Sequence, residues 1–307
     1  MPSTSHEWCN DVSSDLAASI SGVEVRKAPS ARARAVEVDL WAEPESIPGV
    51  ATFLSPRGFI PLRSLREGTH RFFLAHRPGG WCKVDAKVTR DGRRRPSNLW
   101  WALRKRRGPI LALVGADGAG KTSTIQTIED TAPFGLHVAY LGRRRKTAPP
   151  SKTPSTGSAA APKTSMHQIV GVGVWTLRTG RRLFPIHVQA RLGRVVLCDR
   201  HPIEIEAVDG ATSPMARSLR GFVVNRVLPR PDHIVLLAAP GELLFARKGE
   251  HDPARLDKMT AAFRGLVRRR GGAEIDCSVP QAEVVSAVEQ VILDAIAERL
   301  SVASGDC

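Results

Sequence analysis

Two hydrophobic rhythms divide the chain. From Ile110 onward, short apolar runs recur between longer stretches of helical period: Ile110–Val114, Leu136–Leu141, Arg194–Cys198, His233–Ala238 and Ala273–Asp276. Runs of this length, rich in Val, Ile and Leu and spaced by helices, predict buried parallel strands in a doubly wound α/β sheet. Before Ile110 the alternation is residue by residue. Val23-Glu24-Val25 and Val36-Glu37-Val38-Asp39-Leu40 read as strands, and Glu45 to Leu54 as a short helix. Arg71–Ala75 and Trp81–Ala86 read as a hairpin around Pro78-Gly79-Gly80. Residues 1 to about 20 are polar and are expected to fray. Met166 to Leu192 reads as helical in part, with a break near Pro185. Residues 143–165, a Pro/Ser/Thr/Ala/Lys stretch without periodicity, predict a disordered loop.

The organisation that follows has two parts. Residues 1–103 form a small α+β unit with a basic linker, in which Trp100 and Trp101 are placed to dock on one of the domains; residues 104–307 form the α/β unit. A length of 307 residues suits two domains, and 42% apolar content suits a folded protein. No apolar run reaches membrane-spanning length, and Met1 to Asp11 has no apolar core of a signal peptide. Five scattered cysteines (Cys9, Cys82, Cys198, Cys277, Cys307) argue against disulfides and zinc and for a reducing, cytoplasmic setting.

The net charge of +15 changes the picture. Arginine clusters at Arg93–Arg95, Arg104–Arg107, Arg143–Lys146 and Arg268–Arg270 fit either a nucleic-acid surface or sites for phosphorylated small molecules. Aromatic residues are few and do not interleave with the clusters, so nucleic acid is the weaker reading. Acidic lipid heads remain open as a surface contact.

The first chemical word is Gly115-Ala116-Asp117-Gly118-Ala119-Gly120-Lys121-Thr122, followed by Ser123. It matches G-x-x-x-x-G-K-[ST] without a mismatch, between a predicted strand and a predicted helix. Glycines let successive N–H groups face one phosphate, and the helix start adds positive potential. Lys121 is expected on the β- and γ-phosphates of ATP and Thr122 on Mg²⁺. The competing reading is a glycine-rich turn that binds nothing.

Second, Val195-Val196-Leu197-Cys198 leads into Asp199-Arg200-His201. A carboxylate at a strand's carboxyl end is placed to hold magnesium, and a guanidinium beside it to grip a phosphate bidentately. The alternative is a structural Asp-Arg pair. Third, Phe245-Ala246-Arg247-Lys248-Gly249-Glu250, then Arg255 and Arg264, has the spacing of a mobile basic lid; a solvent-facing helix is the alternative. Fourth, Glu37 and Asp39 on one strand and Asp85 on another could hold metal ions, or could be solvated acids at strand edges.

With these words in place, residues 110 to about 300 resemble the thymidylate kinase family of P-loop kinases. The resemblance rests on the glycine loop with acid at its third position, on Asp199-Arg200-His201 and on Arg247-Lys248. Residues around Glu37, Asp39, Arg57-Gly58-Phe59, His70–Phe73 and Asp85 resemble the nucleotidyltransferase fold, though no Gly-Ser pair precedes the acids and the first acid is Glu. The layout is similar to thymidylate kinase-like proteins that carry a degenerate amino-terminal nucleotidyltransferase-like domain. It implies a P-loop, doubly wound parallel sheet of the nucleotide kinase type. It further implies transfer of the γ-phosphoryl group of MgATP to a nucleoside monophosphate or related acceptor, dTMP among them. Gly115, Ala116, Asp117, Gly118, Ala119, Gly120, Lys121, Thr122, Ser123 and Arg247 would then bind ATP. Lys121, Asp199, Arg200 and Arg247 would act in transfer, and Thr122 and Asp199 would hold Mg²⁺. Asp117 would contact the acceptor sugar and Arg200 its phosphate. The family's acceptor segment after the second strand has no counterpart; Arg143-Arg144-Arg145-Lys146 stands there. An ATP-binding regulatory or scaffold protein, and a nucleic-acid-binding ATPase, are the competing readings. A homodimer is an open alternative to a monomer.

Overall fold

A computed structural model describes residues 5–27, 35–62, 70–88, 107–142, 165–207, 214–249 and 251–300. The predicted loop over 143–165, apart from Ser165, which is helical, the Trp100-Trp101 segment and the boundary at 103/104 lie outside the described residues. The chain forms two sheets, and the protein is α/β.

The first sheet has the order β1-β2-β5-β4-β3. Its strands are β1 (Val23–Lys27), β2 (Ala35–Ala42), β3 (Ile60–Leu62), β4 (His70–Arg77) and β5 (Gly80–Lys87). β2 and β5 are parallel, and the remaining pairs are antiparallel. The predicted hairpin is β4–β5. The predicted short helix is α2 (Ile47–Leu54), entered through a 3₁₀ turn at Pro44–Ser46. The expected fraying of the first 20 residues is corrected: Ser5–Ser19 is helix α1. Its polar composition hides Cys9, Val12 and Leu16, which lie at helical spacing and are buried in the core of this sheet. The expectation of unpaired cysteines is corrected as well. Cys9 of α1 and Cys82 of β5 form a disulfide, with Cα atoms 6.2 Å apart. A separation of 73 residues leaves no spacing signature for it.

The second sheet is fully parallel, in the order β10-β9-β6-β8-β7. The strands are β6 (Ile110–Val114), β7 (Leu136–Tyr140), β8 (Val195–Asp199), β9 (His233–Ala238) and β10 (Ala273–Asp276). Each lies within one residue of its predicted limits. The helices are α3 (Lys121–Thr131), α4 (Ser165–Arg191), α5 (Pro214–Arg226), α6 (Gly241–Lys248), α7 (Pro253–Arg270) and α8 (Gln281–Leu300). Alternation along β6 explains the layering. Leu111 and Leu113 enter a core with Ile125 and Ile128 of α3 and Val285, Val288 and Ile292 of α8. Ile110, Ala112 and Val114 enter the opposite core with α4, α5 and α7. The predicted break at Pro185 is corrected: α4 runs through it as one helix. Pro185 and Arg181 are both exposed, so the ring and the carbonyl that loses its donor lie on the solvent side of the helix. Leu183, Ile186 and Ala190 hold the inner face on the sheet.

The two sheets meet on a shared apolar surface. Leu74 and Trp81 belong to the same core as α3 and α8, and Trp81 meets Phe134 edge-on with centroids 5.1 Å apart. Glu289 of α8, fully buried, accepts from Trp81 Nε1 at 2.9 Å and from Thr131 Oγ1 at 3.3 Å, and lies 3.0 Å from His76 Nε2. A carboxylate so placed needs those partners, because an unpaired buried charge is costly. Among the described residues, no helix is long and apolar enough to cross a membrane.

Candidate functional site

β6 lies at the centre of its sheet; the chain goes from it to β7 and β8 on one side and then crosses from β8 to β9 and β10 on the other, so its carboxyl end is at a topological switch point. In open α/β sheets ligands bind at such a point. The loop 115–120 leaves β6 there and feeds α3. Gly115 has φ 153° and Gly118 φ 90°. A Cβ on Gly115 would lie 2.6 Å from the Leu237 carbonyl oxygen, and one on Gly118 2.6 Å from that of Leu244. Both positions therefore admit only glycine without displacing backbone. Gly120 occupies the N-cap of α3 in a left-handed conformation and offers no capping side chain. The first-turn amides of the helix are thereby left for an incoming anion.

Lys121 opens α3 and is 6% exposed, an ammonium group in the interior. Its Nζ donates to the Gly115 and Ala116 carbonyl oxygens at 2.8 and 2.9 Å, curled back over the loop. Burial lowers its pKa, opposed by the nearby Glu204 carboxylate. Beside it, Thr122 Oγ1 donates to Asp199 Oδ2 at 2.9 Å. A hydroxyl and a carboxylate oxygen at that separation, one from α3 and one from the end of β8, form a hard-oxygen donor set of the type Mg²⁺ takes. Ser123 is turned away onto the Gly120 carbonyl at 2.8 Å. The residues present fit a phosphate chain with its magnesium.

Arg200 follows β8 with φ 65°, the one left-handed non-glycine among the described residues. Such a conformation costs about 1–2 kcal/mol for an L-residue and is held where the surroundings over-determine it. The surroundings here are charged. Arg200 Nη2 donates to Asp117 Oδ1 at 2.5 Å, and Lys248 Nζ and His251 Nε2 each lie 3.8 Å from an Asp117 oxygen. Burial works to raise the Asp117 carboxyl. The Arg200 guanidinium overcomes it with help from Lys121 and Lys248, leaving the pKa below the ordinary value. The third residue of the loop, the residue after β8 and the end of α6 thus converge on one carboxylate.

Arg247 stands apart from this group. Its Nη1 donates to the Cys277 carbonyl at 2.9 Å, past the end of β10. The sequence joins Arg247 and Lys248 in one lid; the structure divides them, Lys248 toward Asp117 and Arg247 toward the β10 loop. Arg264 pairs with Glu274 at 2.6 Å, away from the loop 115–122.

Sequence reasoning missed Glu204. It lies in the 3₁₀ turn Pro202–Glu206, nucleated by His201, whose Nδ1 accepts from Ile203 N at 3.2 Å. Glu204 Oε1 is buried without a hydrogen-bond partner. Burial drives the carboxyl up to about 7, against the pull of Lys121 and Arg200. His201 is pushed the other way by burial, to about 3, and is neutral. In Pro-Ile-Glu-Ile-Glu nothing distinguishes Glu204 from Glu206, which pairs with Arg270 at 2.6 Å; only the fold does. A stability consequence follows. The unfolded carboxyl titrates at 4.5 and the folded one at about 7, so the folded state holds the extra proton between them and stability falls as pH rises through that window. Glu204→Gln should leave stability unchanged at about pH 4 and increase it above about pH 7, by up to about 3 kcal/mol at ~1.4 kcal/mol per pH unit, read as a higher Tm at the higher pH. A lower Tm for the variant at the higher pH would mean that the carboxylate stabilises the fold through Lys121 and Arg200.

On the first sheet, the register places Asp39 opposite Asp85 on the parallel pair β2–β5. Ligand atoms of Glu37, Asp39 and Asp85 all lie within 4.8 Å of one another. Each has a cationic or imidazole neighbour: Lys83 is 2.6 Å from Glu37, Lys87 3.6 Å from Asp39, and His70 Nδ1 2.8 Å from Asp85. The sequence-predicted triad is therefore assembled, with lysines already beside Glu37 and Asp39 and an imidazole beside Asp85. No protein-family model matches the chain, and no curated protein is significantly similar to it.

Proposed function

We propose that the chain is an ATP-dependent phosphotransferase of the nucleotide kinase type, carrying the γ-phosphoryl group of MgATP to a nucleoside monophosphate or related small acceptor. The observation that carries this reading is the convergence of Lys121, Thr122 and Asp199 on one glycine cradle at the carboxyl end of the central strand. The resemblance to the thymidylate kinase family supplies the reaction class.

Phosphoryl transfer asks the protein for positioning and charge, with little covalent work. The loop amides and the start of α3 would hold the β-phosphate. Lys121 would leave the Gly115 and Ala116 carbonyls and follow the charge onto the transferred group. Thr122 and Asp199 would hold Mg²⁺, which neutralises phosphate charge. Arg200 and Asp117, already paired, would face the acceptor from the β8 side, with Arg200 on its phosphate and Asp117 on its sugar. Arg247, on the β10 side, would border the nucleotide base. Acceptor-dependent ADP release from MgATP, measured across nucleoside monophosphates and other hydroxyl acceptors, tests this reading. ADP release that no acceptor accelerates would leave an ATPase or a nucleotide switch instead.

The first sheet is read as a degenerate nucleotidyltransferase-like unit. Two of the three carboxylates already held by Lys83 and Lys87, without a preceding Gly-Ser seat, support that reading. The full chain should release no pyrophosphate from nucleoside triphosphates. Pyrophosphate release that disappears in Asp39→Asn would overturn the assignment.

A further inference from the structure

The outer face of α4 is unlike a soluble surface. Its inner face, Val172, Thr179, Leu183, Ile186 and Ala190, is buried on the sheet. On the opposite side Val170, Val174, Leu177, Phe184 and Val188 recur at helical spacing and stand 39% to 70% exposed. That stripe runs about 27 Å at 1.5 Å per residue. α5 packs beside α4 in the same core and exposes Met215 and Phe222, seven residues apart on one face. Contiguous exposed apolar surface of this kind marks an interaction site.

Charge decides the occupant. α4 carries four arginines and α5 three, and neither helix contains an acid. Arg178 and Arg181 are exposed at the middle of the α4 stripe, flanked by Leu177 and Phe184. A two-fold about that middle would set each arginine pair against its own copy, so the charge disfavours a second copy of this chain. The long segments outside the described residues are opposed by charge: 143–164 is basic and has no large apolar residue, and 89–106, although it holds Trp100 and Trp101, carries seven arginines and lysines against one acid and would meet the arginines of α4. Nucleic acid would take the arginines but give Val170, Leu177 and Phe184 nothing to enter. An anionic bilayer takes both: phosphate heads for the guanidiniums and the acyl boundary for the apolar stripe.

We propose that the outer face of α4, with Met215 and Phe222 of α5 beside it, docks the protein on an anionic lipid surface. The contact is peripheral and reversible, because the helix stays anchored to the sheet by its inner face. It is independent of the kinase reading, since none of these residues belongs to the loop, Asp199 or Asp117.

The test is cosedimentation of the full chain with phosphatidylcholine vesicles with and without phosphatidylserine, at low and raised salt. The expected result is binding only to the anionic vesicles, weakened by salt. Arg178→Gln/Arg181→Gln should weaken it about thirtyfold, the loss expected for two basic residues at a charged membrane surface. Leu177→Asp/Phe184→Asp should weaken it at least about tenfold, with a Tm equal to wild type because both side chains are exposed. No binding by the wild-type chain overturns the proposal. So does a dimer in light scattering that Leu177→Asp/Phe184→Asp dissociates while vesicle binding is unchanged, and so does equal binding to vesicles and to duplex DNA that the apolar variant retains.

Discussion

Lys121→Ala is expected to weaken MgATP binding about a hundredfold, roughly 3 kcal/mol, the upper range for a hydrogen bond to a charged group. The fold should survive intact. Lys121 is 6% exposed; its ammonium donates to two carbonyl oxygens, and the Glu204, Asp117 and Asp199 carboxylates favour its charge from nearby. Burial already depresses its pKa, so the charge is less favourable here than in water. Removing it relieves that desolvation and leaves a helix start at which alanine is at least as good as lysine. The Tm should therefore stay level or rise while affinity falls. Calorimetric titration with MgATP, beside thermal melts, separates the two. A variant that binds ATP as well as wild type would mean that the loop 115–122 is a structural turn.

Asp199→Asn should lower kcat about a thousandfold, with nucleotide affinity and fold little changed. Asn keeps the shape of the side chain and can still pair with Thr122 Oγ1, the contact seen at 2.9 Å. What it loses is the negative charge that a divalent ion requires. The bland alternative, a structural acid at a strand end, makes the opposite forecast: a falling Tm with normal turnover in the protein that remains folded. Arg200 provides a second contrast in the same assay. Arg200→Ala should raise the KM for the acceptor, and Arg200→Lys should restore only part of it, because an ammonium lacks the planar fork. At φ 65° the backbone is strained for alanine as well as for arginine. Arg200→Gly should therefore be more stable than Arg200→Ala by about 1 kcal/mol, a difference that isolates strain kept for function.

Much of this site was legible because its chemistry is local. The glycine loop, its Lys-Thr and the acid ending β8 are contiguous words, and apolar runs on both flanks fix strand before and helix after. The same runs gave all five strands of the parallel sheet, since strands buried on both faces need continuous Val, Ile and Leu. Features built by distant residues were not legible. Glu204 is one carboxylate in an ordinary polar turn until the fold buries it near Lys121 and Arg200. Glu289 looks like any exposed helical acid until Trp81, His76 and Thr131 surround it from other elements. Helix α1 was hidden by a polar majority around three buried apolar residues, and α4 passed through Pro185 because the proline faces outward. Arg247 and Lys248 are neighbours in sequence and diverge because adjacent residues of a helix lie about 100° apart.

The central claim is that a phosphoryl group leaves ATP and arrives on a small acceptor under the control of Asp199. The most direct measurement follows γ-labelled ATP into products, with wild type and Asp199→Asn side by side in magnesium, across a set of nucleoside monophosphates and hydroxyl acceptors. The account predicts label on at least one acceptor with wild-type protein and about a thousandfold less with the variant. Label recovered only as inorganic phosphate, or transferred equally by both proteins, would contradict it.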